Sequence, residues 1–267
     1  MSTIATPIPG PLEPARFVER PNRFLIRCRL EATGEVVGAH LGDPGRLEAI
    51  FVPGRRVWVR PSADPARRTR WTALVAESPV GEGWVSLDST LPNRLVRRAL
   101  EAGALPELDG WQLERAEWRH GSSRFDFLLA GPGGRRLALE VKGVNLVEDG
   151  VAMFPDAPTA RGARHLRELA QIAARDGWEA GVLFIVHRKE ARAFRAAAHI
   201  DPQFSAALDD AARAGVRVMA RLCAVALDRA TLGPPLPWTD APSAAAQERP
   251  GPPPPAPLRN HRASRSG

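Results

Sequence analysis

Apolar residues between Arg16 and Asp88 come in short runs rich in Val, Leu, Ile and Trp, each stopped by a turn residue. The runs are RFLIRCRLEA, EVVGAHL, RRVWVRP, RWTALVAES and GWVSLDS, punctuated by Gly34, Gly42, Pro44, Pro53-Gly54 and Gly81. This is strand-and-turn spacing. Five or so strands in so short a stretch predict a small β-barrel over 16–88, with the OB-fold as a candidate. A short helix is expected near Arg46 to Phe51.

The period then changes. LPNRLVRRALEAG places Leu95, Val96, Ala99 and Leu100 on one side, which predicts a helix ending at Gly103. WQLERAEWRHG, SRFDFLLAG and LALEVKG follow as strands, the last two joined through GPGG. In TARGARHLRELAQIAARDG, Thr159 is an N-cap and Leu166, Leu169, Ile172 and Ala173 repeat at helical spacing. AGVLFIVH is a buried strand, DPQFSAALDDAARAG a helix capped by Asp201 with Pro202 in its first turn, and VRVMARLCAVAL a last strand. The order α-β-β-β-α-β-α-β predicts an α/β domain over 89–232. Residues 1–15 are expected to be a flexible N-terminus. From Gly233 onward the chain is crowded with proline, and 233–267 is expected to be a disordered tail.

Composition changes this picture little. Net charge is +7, from 37 basic and 30 acidic residues. Only Lys142 and Lys189 are lysines and tyrosine is absent, so the basicity carries a coding bias as well as a functional signal. Cys28 and Cys223 lack metal-ligand spacing and predict reduced thiols in a cytoplasmic protein. The start lacks a signal-peptide pattern, and no apolar run is long enough for a membrane span. No zinc pattern, phosphate-cradling GxxxxGK or dinucleotide-binding GxGxxG occurs, so no small-molecule cofactor is expected.

The chemistry concentrates in LALEVKG, Leu137 to Gly143. Leu137, Leu139 and Val141 form one face of a strand; Ala138, Glu140 and Lys142 form the other. If 123–143 is a hairpin with an odd-length loop such as Pro132-Gly133-Gly134, Asp126 lies opposite Glu140, with Cβ atoms roughly 4.5–5.5 Å apart. Two such carboxylates repel unless something positive lies between them, and a divalent cation, Mg²⁺ or Mn²⁺, fits that need. The alternative is a solvated strand face. Against it, Leu128, Ala130 and Ala138 share the face, and position 142 is Lys in a chain that otherwise uses Arg. Asp126 and Glu140 are thus candidate metal ligands and Lys142 a candidate catalytic residue. Asp156 in FPDA is a further candidate for the metal shell, with turn capping as its alternative.

Asp followed by Glu-x-Lys on the next strand, then a helix and a strand, resembles the PD-(D/E)xK nuclease-like superfamily. That resemblance implies a further carboxylate, for which Glu117 is the candidate. The chain also resembles the sugar fermentation stimulation protein A family over roughly 16–232. The matching stretches are HLGDPGRLEAIFVPG, STLPNRLVRRAL, SRFDFLL, LALEVKGVNL, MFPDAPTARGARHL and AAAHIDPQF. It departs from many members at His40 to Gly45, at Pro158 and at Arg164. The resemblance implies an N-terminal OB-like domain, a C-terminal nuclease-like domain and DNA binding.

For DNA, RRTRWT interleaves Arg67, Arg68 and Arg70 with Trp71, a mixture that binds phosphates and stacks on bases; a basic loop with a core tryptophan is the alternative. Arg161, Arg164 and His165 at the start of the later helix are a second candidate surface. Arg23, Arg46, Arg55 and Arg56 are weaker candidates. Two functions follow: a metal-dependent nuclease with little sequence preference, or a regulatory DNA-binding protein on a nuclease-like fold that does not cleave.

Overall fold

The computed structural model describes residues 3–64 and 66–239. A first short strand, β1 (Ala5–Pro7), precedes the barrel strands β2 (Glu13–Asn22), β3 (Leu25–Leu30), β4 (Val36–Leu41), β5 (Arg56–Pro61), β6 (Trp71–Glu77) and β7 (Trp84–Ser86). The sheet runs β4-β3-β2-β5-β6-β7, and a parallel β4–β6 pairing closes five of its strands into a barrel. Closure removes the open edges that a five-stranded sheet would otherwise expose. Ala15, Phe17, Ile26, Cys28, Leu41, Val57, Val59 and Ala73 fill the interior. Both cysteines are buried free thiols.

Three expectations about this half change. β2 was not legible as a strand because prolines stand at 14 and 21, yet Ala15 and Phe17 point inward between them. The segment expected as a helix at 46–51 is a single turn in which the Ile50 and Phe51 N–H groups donate to Leu47 O. Leu47 has φ of 54°, which no helix tolerates. Part of the N-terminus expected to be flexible is held in the fold: β1 adds to the edge of the C-terminal sheet, and Thr6 and Ile8 are buried.

The second half contains α1 (Leu91–Glu101), β8 (Gln112–His120), β9 (Ser123–Ala130), β10 (Arg136–Val144), β11 (Leu146–Glu148), β12 (Val151–Phe154), α2 (Ala160–Ala173), β13 (Trp178–Val186), β14 (Ala193–Ala196), α3 (Pro202–Arg213), β15 (Arg217–Val225) and β16 (Arg229–Pro235). Its main sheet is ordered β1-β16-β15-β13-β10-β9-β8, with β10, β13 and β15 parallel. Parallel strands need both faces covered. Helix α1 covers one face, its Leu91, Leu95 and Val96 packing with Leu137, Leu139, Val141, Leu183 and Ile185. Helices α2 and α3 cover the other, where Leu166, Leu169, Phe204 and Leu208 meet Ala138, Val182 and Phe184. The expected caps form: Thr159 accepts from Gly162 N–H at 3.0 Å and Asp201 from Phe204 N–H at 3.0 Å. Among the described residues no helix is long and apolar enough to cross a membrane.

The expected end of the folded unit at Leu232 also moves. β16 continues to Pro235, Leu236 N–H donates to Ala220 O at 2.8 Å, and Thr239 N–H donates to Phe194 O at 2.9 Å. Leu236 is buried, so this part of the proline-rich segment has a core to join after all. The rest of the expected disordered tail, 240–267, lies outside the described residues. The small sheet β11-β12-β14 was also unforeseen. Its strands are three or four residues long and carry no usable period.

The two halves meet through carboxylates. Asp43, on the loop after β4, accepts from Asn145 Nδ2 at 2.8 Å, and Asn145 follows β10 directly. Asp156, on the loop after β12, accepts from Leu47 N–H at 3.4 Å. Burial pushes both carboxyls above the usual aspartate range, and Arg20 nearby partly offsets this. Asp156 is therefore a cross-domain turn cap and lies outside the carboxylate pair of the hairpin, as the alternative reading had it. A Cβ on Gly45 would fall 2.8 Å from Asp156 Cγ, so close approach is what requires glycine there. Gly45→Ala should cost on the order of 1–3 kcal/mol in urea denaturation. It should cost clearly less in an Asp156→Ala background; additive losses would show that the two residues do not press on each other.

Candidate functional site

The β9–β10 hairpin sets the site. Ala130 pairs with Arg136, Leu129 with Leu137, Leu128 with Ala138 and Phe127 with Leu139. Extended by one step, this register would set Asp126 against Glu140, the pairing that the odd-length loop predicts. There the ladder stops. The Asp126 side chain takes the place of a backbone partner, its Oδ2 accepting from Val141 N–H at 2.7 Å. Its Oδ1 accepts from Asn93 Nδ2 at 2.5 Å, a residue of the first turn of α1.

Glu140 is held from the opposite face of the sheet. Its Oε1 lies 2.8 Å from His165 Nδ1 on α2 and accepts from Lys142 Nζ. Glu140 is 4% exposed and His165 1%. Glu140 Oε2 is buried and has no hydrogen-bond partner. A buried carboxylate oxygen left without a donor is costly, and such an atom calls for an explanation.

The environments drive the two carboxyls apart. Burial and then the Glu140 charge raise Asp126 from 3.8 to about 6, against the pull of the Val141 N–H, Lys142 and Asn93. Burial raises Glu140 as well, but the His165 hydrogen bond and the Lys142 ammonium outweigh it and hold that carboxyl below its usual range. The result is one firmly ionised carboxylate beside one that is ionised only at the cost of repulsion. A cation between them would remove that repulsion. Among the described residues no group of three or more His, Cys, Asp or Glu is arranged around a metal position. The donor set that remains is two carboxylates, the number Mg²⁺ typically uses while keeping water in most of its shell.

The other candidates fall into place as follows. Glu117 is brought to β8 beside Asp126 but turns away. Its φ is 52°, its side chain is 70% exposed, and it pairs with Arg124 at 3.5 Å. His165, expected at a DNA surface, is instead buried against Glu140; helical spacing gave its neighbours but not which side the sheet covers. Arg161 and Arg164 are exposed on α2, Arg161 Nε facing His165 Nε2 at 3.4 Å and Arg164 lying 3.8 Å from Glu168. Arg68 and Arg70 are exposed on the barrel, while Arg67 donates to Thr72 at 3.2 Å. Trp71 is half-buried and packs against the barrel core. Of the weaker candidates, Arg55 donates to backbone carbonyls of the 47–50 turn and Arg56 pairs with Glu31 at 3.1 Å, so both are structural. Arg23 and Arg46 are exposed. Sequence reasoning missed Asn93, whose signal was an amide in the first turn of a helix followed by an Asp-bearing hairpin.

The split in proton affinity has a measurable sign. The native state holds the Asp126 proton more tightly than the unfolded chain does. Its contribution to stability is thus fully present below about pH 4 and lost as pH rises through about 6. In chelator, wild-type stability should fall relative to Asp126→Asn between those limits, by up to about 2–3 kcal/mol. Parallel pH profiles for the two proteins would mean that Asp126 titrates normally.

Two family models match the chain: an SfsA N-terminal OB domain over 18–87, and a sugar fermentation stimulation protein RE domain over 90–229. A sugar fermentation stimulation protein homolog of Shouchella clausii is 43% identical over 210 residues, covering 79% of this chain and 90% of that protein. The homolog of Moorella thermoacetica is also 43% identical, over 81% of this chain and 91% of its own length. Among solved structures, that of Pyrococcus furiosus SfsA in complex with Ca²⁺ superposes with a TM-score of 0.79. It is 29% identical and covers 90% of this chain and all of its own. With matches across the barrel, the hairpin and the helices that hold it, the chain belongs to the sugar fermentation stimulation protein family.

Proposed function

We propose that the protein binds DNA with little sequence preference and hydrolyses phosphodiester bonds at a divalent-cation site formed by Asp126 and Glu140. The α/β domain is then of PD-(D/E)xK nuclease-like type, a reading supported by the order β9, β10, α2, β13 with Asp on the first strand and Glu-x-Lys on the second. The observation that carries the proposal is Glu140 Oε2, buried and without a donor beside a second carboxylate. That the Pyrococcus furiosus relative is described in complex with Ca²⁺ supports a cation in this family.

Bound there, Mg²⁺ or Mn²⁺ would lower the pKa of a coordinated water and polarise a phosphoryl oxygen. The protein's own groups do the rest. His165 and Lys142 keep Glu140 ionised, and Asn93 with the Val141 N–H fixes the orientation of Asp126. Lys142, with its side chain 20% exposed, retains donors that can face an incoming phosphate. Arg68 and Arg70 on the barrel and Arg161 and Arg164 on α2 supply phosphate contacts without base reading. The half-buried Trp71 makes the barrel contribution mainly electrostatic.

Full-length protein incubated with single-stranded, duplex and branched DNA should cleave at least one form with Mg²⁺ or Mn²⁺ and none in chelator. Asp126→Asn, Glu140→Gln and Lys142→Ala should each abolish cleavage. In chelator the two carboxylate variants should bind DNA as well as wild type or better, because each removes a negative charge from the phosphate path. Binding without cleavage under every condition would leave the regulatory DNA-binding reading. Loss of binding in folded carboxylate variants would refute the site. Changing Arg67, Arg68 and Arg70 together to Ala should flatten the log affinity against log salt slope by about 2–3. Mn²⁺ at a hundredfold excess over Kd should stabilise the fold by about 2.7 kcal/mol, a gain absent in Asp126→Asn.

A further inference from the structure

Asp126 is gripped at both oxygens, and the grip comes from two different elements. Val141 N–H belongs to the neighbouring strand, whereas Asn93 belongs to α1, which is packed on the Leu137, Leu139, Val141 face. The first turn of α1 is not free to drift. Asp88 accepts from Thr90 N–H at 2.9 Å, Thr90 Oγ1 at 2.7 Å and Arg94 Nη1 at 2.8 Å. Pro92 lies so near the strand that a Cβ on Gly143 would be 3.2 Å from its Cγ. Leu91 and Leu95 on either side of Asn93 are fully buried. The Asn93 amide is thus carried by a rigid support to one carboxylate oxygen.

We propose that Asn93 is a positioning residue for the cation site. This rests on the metal reading given above. A carboxylate oxygen has two acceptor positions. With one position of each Asp126 oxygen taken by a fixed donor, the carboxylate cannot rotate, and its remaining positions are set by α1 and β10 together. Glu140 is held at Oε1 alone, by His165 and Lys142, and its Oε2 has no donor. Ligating carboxylates are commonly oriented by such outer hydrogen bonds. The neutral amide matters: it orients Asp126 without placing a second positive charge where the cation must sit. A lysine or arginine at 93 would form an ion pair with Asp126 and compete with the metal.

The test is Mn²⁺ binding to full-length protein without nucleic acid, read as loss of the free Mn²⁺ signal in electron paramagnetic resonance. Asn93→Ala should weaken Mn²⁺ binding by about 10–100-fold, with a circular dichroism spectrum like that of wild type. Asn93→Gln, which retains the amide, should recover part of the loss. A merely structural role would lower the melting temperature of Asn93→Ala and leave the affinity of the folded protein as it was; that result overturns the inference and leaves the metal site standing. If Asn93→Ala does not fold, Asn93→Ser is judged by the same criterion. Wild type that binds no Mn²⁺ overturns the metal reading, and this inference with it.

Discussion

Two carboxylates placed side by side on adjacent strands, inside a domain whose sheet is covered on both faces, form the constraint around which the rest is organised. The β9–β10 hairpin, paired as far as Phe127 and Leu139, brings Asp126 near enough to Glu140 for their charges to repel. Like charges so placed destabilise a sheet. The structure meets this by ending the ladder at that point and engaging three of the four oxygens separately. Helix α1 supplies Asn93 from one face, helix α2 supplies His165 from the other, and Lys142 approaches along the strand. The sandwich of helices about the parallel strands, ordinary as packing, is also what brings donors to both carboxylates.

The barrel is bound to this arrangement at sensitive places. Asn145, three residues after Lys142, donates to Asp43 on the barrel and to Ser86 O at the start of the link to α1. Its own carbonyl accepts from the buried Arg188 at 3.0 Å. The strand that carries Glu140 and Lys142 is thus clamped just beyond these two residues by the other domain. Trp58, Leu74 and Val75 of the barrel meet Val225 and Leu227 in a shared apolar cluster. The barrel is in this way mechanically continuous with the hairpin.

What could be read from the chain divides by locality. The β10 and β13 strands, the caps at Thr159 and Asp201, and the β9–β10 register as far as Phe127 and Leu139 all depend on a few consecutive residues, and the structure contains them. β1, β16 and the small sheet owe their form to partners far along the chain: β1 pairs with β16 across more than two hundred residues. No local period announces such pairings. The same holds in the site. Asp126, Glu140 and Lys142 sit in one hairpin and were legible from its register. Asn93 and the burial of His165 depend on where two helices dock, and Glu117, at positive φ, is exposed and paired with Arg124.

The choice of lysine at 142 in an arginine-rich chain fits the same logic. An arginine there would present a wide, rigid fork that engages both oxygens of a carboxylate. It would tend to occupy Glu140 Oε2, the oxygen of the pair without a donor. The compact ammonium satisfies Oε1 and leaves Oε2 bare. An acceptor buried without a donor costs more than a modest hydrogen bond returns. An unpaired oxygen next to an aspartate whose carboxyl is raised to about 6 makes the hairpin less stable than a fully paired one would be. A divalent cation bound there, as proposed above, would recover that deficit by stabilising the folded form.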